Sequence, residues 1–140
     1  QVRHSAVNSS IKRPPIIKIA ALPVYAFGDR DIDLTYAVAG EFIRGGWSVI
    51  DRSIVDRILA EQRFQASGAG EKNAVEIGKL SGANWVMTGT YNGGDVRPYL
   101  YLRIIDVETG EIVATTACFL KYGSGPCAAH ELVRLVNGGK

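Results

Sequence analysis

Three acidic residues, Asp29, Asp31 and Asp33, alternate along one short stretch, which is the spacing with which a calcium loop offers oxygens to a cation. The pattern then fails. The sixth position is Leu34 where the sharp turn needs Gly, and the twelfth is Gly40 where a bidentate Glu belongs. The acids are read instead as marking a helix N-terminus, where the dipole favours negative charge. Gly68-x-Gly70 supplies two glycines of a dinucleotide-binding loop, but Asn73 stands in the third place and a helical pattern, not a strand, precedes it. Lys72 does not directly follow a glycine and has no Ser or Thr after it, so a phosphate-binding loop is excluded too. Gly123-Ser124-Gly125 lacks the spacing of a nucleophile elbow. His4 lies in the polar N-terminal stretch and His130 stands alone on a helix, so four zinc ligands cannot be assembled. No motif pairs Glu61 with Glu76 as an acid and a base; they read as solvated helix faces. The residues thus imply no catalytic group, no metal and no cofactor.

The elements that would carry a site are clearer. Ile16 to Pro23 is a near-continuous apolar run that fits a central strand ended by Pro23. A helix follows, with Leu34, Ala37, Val38, Glu41 and Phe42 at helical spacing and Ala37, Val38 and Phe42 facing the core, closed by Gly45-Gly46. Trp47 to Ile50 reads as a short buried strand, and Ser53 is expected to cap a half-buried helix with Ile54, Val55, Ile58 and Leu59 on one face. After a break around Ser67-Gly68-Ala69-Gly70, a second helix runs to Leu80 and ends at Gly82 in a left-handed conformation, with Gly78 implying close packing in its middle. Asn84 to Tyr91 is a strand in which Gly89 suggests a close approach. Tyr99 to Val107 and Ile112 to Leu120 form a hairpin about Glu108-Thr109-Gly110, and a helix runs from Cys127 to Val136.

The chain has 140 residues, 46% hydrophobic and 21% charged, which suits one domain with a core able to fold unaided. Sixteen basic residues against fourteen acidic give a formal charge of +2, too small and too scattered for a nucleic-acid partner. Residues 1–15 are polar, aperiodic and end in Pro14-Pro15, so they read as a flexible linker; 16–137 form the domain and 138–140 a frayed end. Element order β-α-β-α-α-β-β-β-α predicts an α/β fold: a mixed sheet with crossover helices in its first half, an antiparallel meander in its second, and helices packed on it. The eight residues between Cys118 and Cys127, two Gly and one Pro among them, let the sulfurs meet, which leaves both a disulfide and two buried thiols open.

Three blocks in order carry a resemblance: VIDRSIVDRILAEQRFQASG, AVEIGKLSGANWVMTGTY and LYLRIIDVETGEIVATT. They resemble the curli-secretion lipoprotein (CsgG) family over about residues 16 to 120, and more distantly the TolB amino-terminal domain and the LpoB activator of penicillin-binding proteins. The motif positions are Asp51, Arg52, Glu61, Gln62, Ser67, Gly68, Gly78, Gly82, Ala83, Gly89 and Gly110. The resemblance implies a non-enzymatic envelope lipoprotein that binds other proteins, as a component of a secretion or export system. It implies a periplasmic place, tethered to the outer membrane by an acylated cysteine upstream of residue 1, and assembly as a homo-oligomer or ring. The short connections at Asn92 to Arg97 and at Glu108 leave no room for membrane hairpins, so a pore of its own is not expected. The alternatives are an activator of a cell-wall synthase and, in another class, a small-ligand binder or enzyme using the strand ends near Val24 to Asp33 and Asp51 to Ser53. Tyr25, Phe27, Trp47, Tyr99 and Tyr101 are the candidate interface aromatics, and each also suits burial in the core.

Overall fold

The apolar run after Pro15 becomes the strand on which the other elements are laid. A computed structural model describes residues 2–26, 29–62, 71–92, 98–119 and 127–138. In chain order the elements are β1 (Val2–Val7), β2 (Lys18–Ala26), β3 (Asp29–Asp31), α1 (Ile32–Arg44), β4 (Ser48–Val49), α2 (Arg52–Gln62), α3 (Glu71–Ser81), β5 (Trp85–Asn92), β6 (Tyr99–Asp106), β7 (Ile112–Phe119) and α4 (Cys127–Val136). Seven strands form one mixed sheet in the order β1-β7-β6-β5-β2-β3, with β4 also on β2. β2 lies parallel to β5 and β4, whereas β2 with β3, β5 with β6, β6 with β7 and β7 with β1 are antiparallel. Crossover helices therefore build the first half of the sheet and a meander builds the second, as the element order predicts.

Burial on both faces explains why β2 is apolar throughout. Ile19, Ala21 and Val24 face a layer made by α1 and α4, together with Phe42, Trp85, Met87, Leu102 and Leu132. Ala20 and Leu22 face the opposite layer, made by α2 and α3 with Val55, Ile58, Ala74, Ile77 and Val86. Ala21 and Val24 share a face although three positions apart, because the register of β2 against β5 slips between them. Pro23 sits in that slip. Instead of ending the strand it occupies the one kind of interior position that tolerates a missing N–H, a bulge.

The end of α1 shows how local chemistry aims the chain. Gly46 takes φ 89°, its N–H donates to Ile43 O (2.9 Å), and the Trp47 N–H reaches back to Phe42 O (3.1 Å). This is a Schellman ending, which needs a residue at ease in the left-handed region and a hydrophobic contact across the turn. Trp47 supplies that contact by stacking on Phe42, with ring centroids 5.0 Å apart, and meets Trp85 edge-on at 5.6 Å. Its indole N–H donates to Asn137 Oδ1 (3.1 Å), and Asn137 Nδ2 donates to Gly45 O (2.9 Å), so the end of α4 is locked against the end of α1.

The N-terminal stretch departs from expectation. Val2–Val7 is not a loose tail but the strand β1, paired antiparallel with β7. Beyond it Ile11 packs against the core, and Arg13 Nη1 donates to Val136 O (3.0 Å) at the end of α4. The strand expected over Trp47 to Ile50 is shorter, Ser48–Val49. No helix among the described residues is long and apolar enough to cross a membrane.

Candidate docking surface at the end of the sheet

One border of the sheet is finished by side chains. On the outer side of β2, β4 pairs with Lys18 and Ile19 and β3 with Val24 to Ala26. Between them no strand is present among the described residues, and side chains serve two of the backbone groups. Arg52 Nη2 donates to Ala21 O, and the Val24 N–H donates to Thr35 Oγ1 (2.8 Å), whose own hydroxyl donates to Asp31 O (2.6 Å). Thr35 is almost wholly buried, so this bond replaces one that water could not make. Two helix starts deliver these groups. Asp31 caps α1 by accepting from the Leu34 N–H (2.9 Å), which fulfils the reading of the acidic stretch as a helix N-terminus.

At the other start Asp51, not Ser53, is the cap: its carbonyl accepts from Ile54 and its Oδ1 from the Ser53 N–H (2.8 Å) and hydroxyl (2.7 Å). Those two bonds, the hydroxyl first, hold the Asp51 carboxyl below its usual value, with desolvation opposing. Ser53 and Asp51 thus together form the cap of α2. Burial pulls the Arg52 guanidinium below its usual value, opposed by Asp56, whose carboxylate lies 3.7 Å from Nε. Arg52 Nη1 is buried and has no hydrogen-bond partner among the described residues.

Beside this border lies a cleft of about 370 Å³, floored by Ala21, Val49 and Ile50 and walled by Tyr36, Ala39 and Ile43 of α1 and by Arg52. Of the strand ends named for the small-molecule alternative, only Asp51 and Arg52 line it, and none of Val24 to Asp33 does. Two of its wall residues stand in the open, Tyr36 56% exposed and Ile43 60%, and Ile32 at the start of α1 is 43% exposed. With Ala39, they follow one another at four, three and four residues, a second apolar stripe on α1 beside the one that buries Val38 and Phe42. Sequence reading found only the inner stripe. The outer one was equally legible in the spacing of Ile32, Tyr36 and Ile43. These exposed apolar side chains beside the cleft make this face of α1 the candidate docking surface. Among the described residues no group of three His, Cys, Asp or Glu could hold a metal ion.

The expected interface aromatics do not gather here. Trp47 is buried in the core and is no interface residue. Phe27 lies outside the described residues. Tyr25 is half-buried on β2, in register with Arg30 and Thr90. Tyr99 and Tyr101 are half-buried on β6, on the sheet face that α2 and α3 cover further along, and Tyr99 meets Phe119 edge-on at 5.9 Å. Of the motif positions, Asp51 and Arg52 build the border just described. Glu61 is exposed at the end of α2, Gln62 is its last residue, and Ser67 and Gly68 lie outside the described residues. Gly78 is buried in α3, where a Cβ would meet Val107 Cγ2 at 2.4 Å. Gly82 and Ala83 end α3, Gly89 is buried on β5 against Leu102, and Gly110 turns β6 into β7. Cys118 and Cys127 are bonded to each other, with Cα atoms 6.3 Å apart, tying β7 to the start of α4.

The family model described as FlgO protein matches residues 34–124, which hold all three sequence blocks. The family matched is therefore FlgO, and the likeness of those blocks to the curli-secretion family is not shown directly. No curated protein sequence matches the chain. Among solved structures, the LpoB C-terminal domain from Salmonella enterica is 15% identical, with 75% of this chain and 82% of that chain covered and a TM-score of 0.61. Lipoprotein GNA1162 from Neisseria meningitidis is 15% identical, over 88% and 95%, with a TM-score of 0.62. The PelC dodecamer from Paraburkholderia phytofirmans is 18% identical, over 95% and 94%, with a TM-score of 0.51. TolB from Acinetobacter baumannii, the other relative expected from the sequence, matches at 14% identity over 97% of this chain and 29% of that one, TM-score 0.53. At these identities the likeness is one of fold.

Proposed function

The chain belongs to the FlgO protein family, and from that premise we propose that it is a non-enzymatic module of the cell envelope that works by binding other proteins. The observation that carries the reading is the exposed stripe Ile32, Tyr36 and Ile43 beside its cleft, apolar surface that a partner would cover. The fold shared with a lipoprotein and with the LpoB C-terminal domain supports a periplasmic place with a lipid tether upstream of residue 1. Its role is that of an assembly component of a secretion or export system, without membrane hairpins of its own. A second reading, activation of a cell-wall synthase, is favoured by the likeness to LpoB.

The test is a double substitution, Tyr36→Asp with Ile43→Asp, on residues exposed enough for the fold to tolerate it. Photo-crosslinkers at both positions in the native protein, expressed in its own envelope, should trap a partner that the double variant no longer captures in pull-downs while melting as the native chain does. A trapped penicillin-binding protein selects the synthase reading. Unchanged capture by the double variant would sink the proposal.

A further inference from the structure

The opposite border of the sheet carries a different message. β1 is the last strand on that side, and Ser5, Ala6 and Val7 are exposed, Val7 by 42%. Asn8 donates its N–H to Val113 O (2.7 Å), and β1 lies in antiparallel register, Ala6 opposite Thr115 and Ser5 opposite Thr116. In an antiparallel pair the backbone groups of successive residues point alternately to the partner and away. Asn8 and Ala6 therefore turn theirs to β7, and Ser5 and Val7 turn theirs outward. Over Ser5 to Val7 this row has no Pro and no charged residue, and the irregularity in the register of β1 lies before it, between Val2 and His4.

We infer that β1 is a pairing strand for a second copy of this chain, joined antiparallel to its equivalent about Ala6. What fits a bare ladder of backbone donors and acceptors is another strand, and among the described residues β1 is the longest that ends the sheet. At the other end of the sheet the outer strands β3 and β4 are only three and two residues long and β3 carries Asp29, Arg30 and Asp31, so among the described residues β1 is the longer and less charged edge that a second copy can present. Two identical edges meet in an isologous contact, which closes at two copies. Centred on Ala6, the register sets Ser5 opposite Val7 of the other copy, so that each outward N–H and C=O finds a partner. The small Ala6 side chains fall at the close, non-hydrogen-bonded position. The contact lies at the far end of the sheet from the α1 cleft and stands or falls independently of the docking reading.

Light scattering of residues 1–140 over a wide concentration range should read a mass rising to twice the 15.1 kDa of one chain. Val7→Pro removes only an outward donor and should hold the mass at one chain, with an unchanged circular dichroism spectrum. Ala6→Cys alters no backbone group and should form an intermolecular disulfide under mild oxidation, whereas Ser10→Cys should not. A native chain that is monomeric at every concentration, including one whose edge proves to take a strand from another protein, overturns the inference. So does a Val7→Pro chain that keeps the doubled mass, or an Ala6→Cys chain that stays uncrosslinked.

Discussion

The two borders of this sheet end in opposite ways. At β2 the strand edge is short of neighbours, and side chains from two helix starts take over: Arg52 serves Ala21 O and Thr35 serves the Val24 N–H. The strands that flank this gap are brief, and β3 carries Asp29, Arg30 and Asp31. At β1 the ladder simply stops, uncharged between Ser5 and Val7 and open to solvent. Closure of an edge thus depends less on strand length than on whether a donor or acceptor answers each outward backbone group. The closed border is free to carry an apolar docking stripe without inviting strand addition. The open border invites it.

The comparison breaks most sharply when the closed border is opened. Thr35→Val leaves the buried Val24 N–H without an acceptor, and Arg52→Leu leaves Ala21 O without a donor, each at about 1 to 3 kcal/mol. The pair should therefore lower stability in urea by about 2 to 5 kcal/mol. It should also create a second free edge, so that β1 of one copy can meet β2 of the next. Head-to-tail pairing does not close at two copies, and light scattering should find masses that keep growing with concentration. A double variant that loses stability but does not grow would mean that the helices alone guard this edge.

Next in size is the staple behind the open border. The Cys118–Cys127 bond fixes α4 to β7, the strand on which β1 lies. Cys118→Ser with Cys127→Ser, or reductant, should cost about 2 to 3 kcal/mol for so short a loop, measured by thermal melts. Hydrogen exchange should report the loss in β1, β7 and α4 before β2 and α2. Even loss throughout would show that the staple does not act locally.

Asp31→Ala comes third, at about 1 kcal/mol, the usual cost of a lost N-cap. The effect should appear as faster exchange in the first turn of α1 and at the Val24 N–H, since Asp31 O also receives the Thr35 hydroxyl.

This asymmetry explains what the sequence could and could not reveal. β2, β5 and the β6–β7 hairpin were legible because each buries an apolar run or an alternation whose partner lies close in the chain. β1 was not: Arg3-His4-Ser5-Ala6 has no strand pattern of its own, and only the waiting edge of β7, more than a hundred residues away, makes it one. Pro23 reads as a stop when only its missing N–H is considered. The bulge that accommodates it is set by the pairing of β2 with β5. Arg52 was visible as part of a family block, but its service to Ala21 depends on a strand being absent there, which no local spacing records. The outer stripe of α1 was present in the spacing and went unseen because the inner stripe already explained the helix.

The smallest effect is also the most selective, because it works through one proton at the closed border. Hydrogen bonds from the Ser53 hydroxyl and N–H hold the Asp51 carboxyl below its usual 3.8 in the folded chain. A depressed carboxyl contributes stability that is complete above the unfolded value and is lost as pH falls through the folded one. Melting temperature followed from about pH 5 downward should therefore drop less steeply for Asp51→Asn than for the native chain, since the amide oxygen still accepts but carries no titrating proton. Ser53→Ala should lie between them, having lost the hydroxyl and kept the N–H. Because Asp51 starts the helix that aims Arg52 at Ala21, the acid-induced loosening should show in exchange at β2 and leave β1 unchanged. If β1 loosens over the same pH range, the two borders are coupled through the sheet and the contrast between them is one of degree.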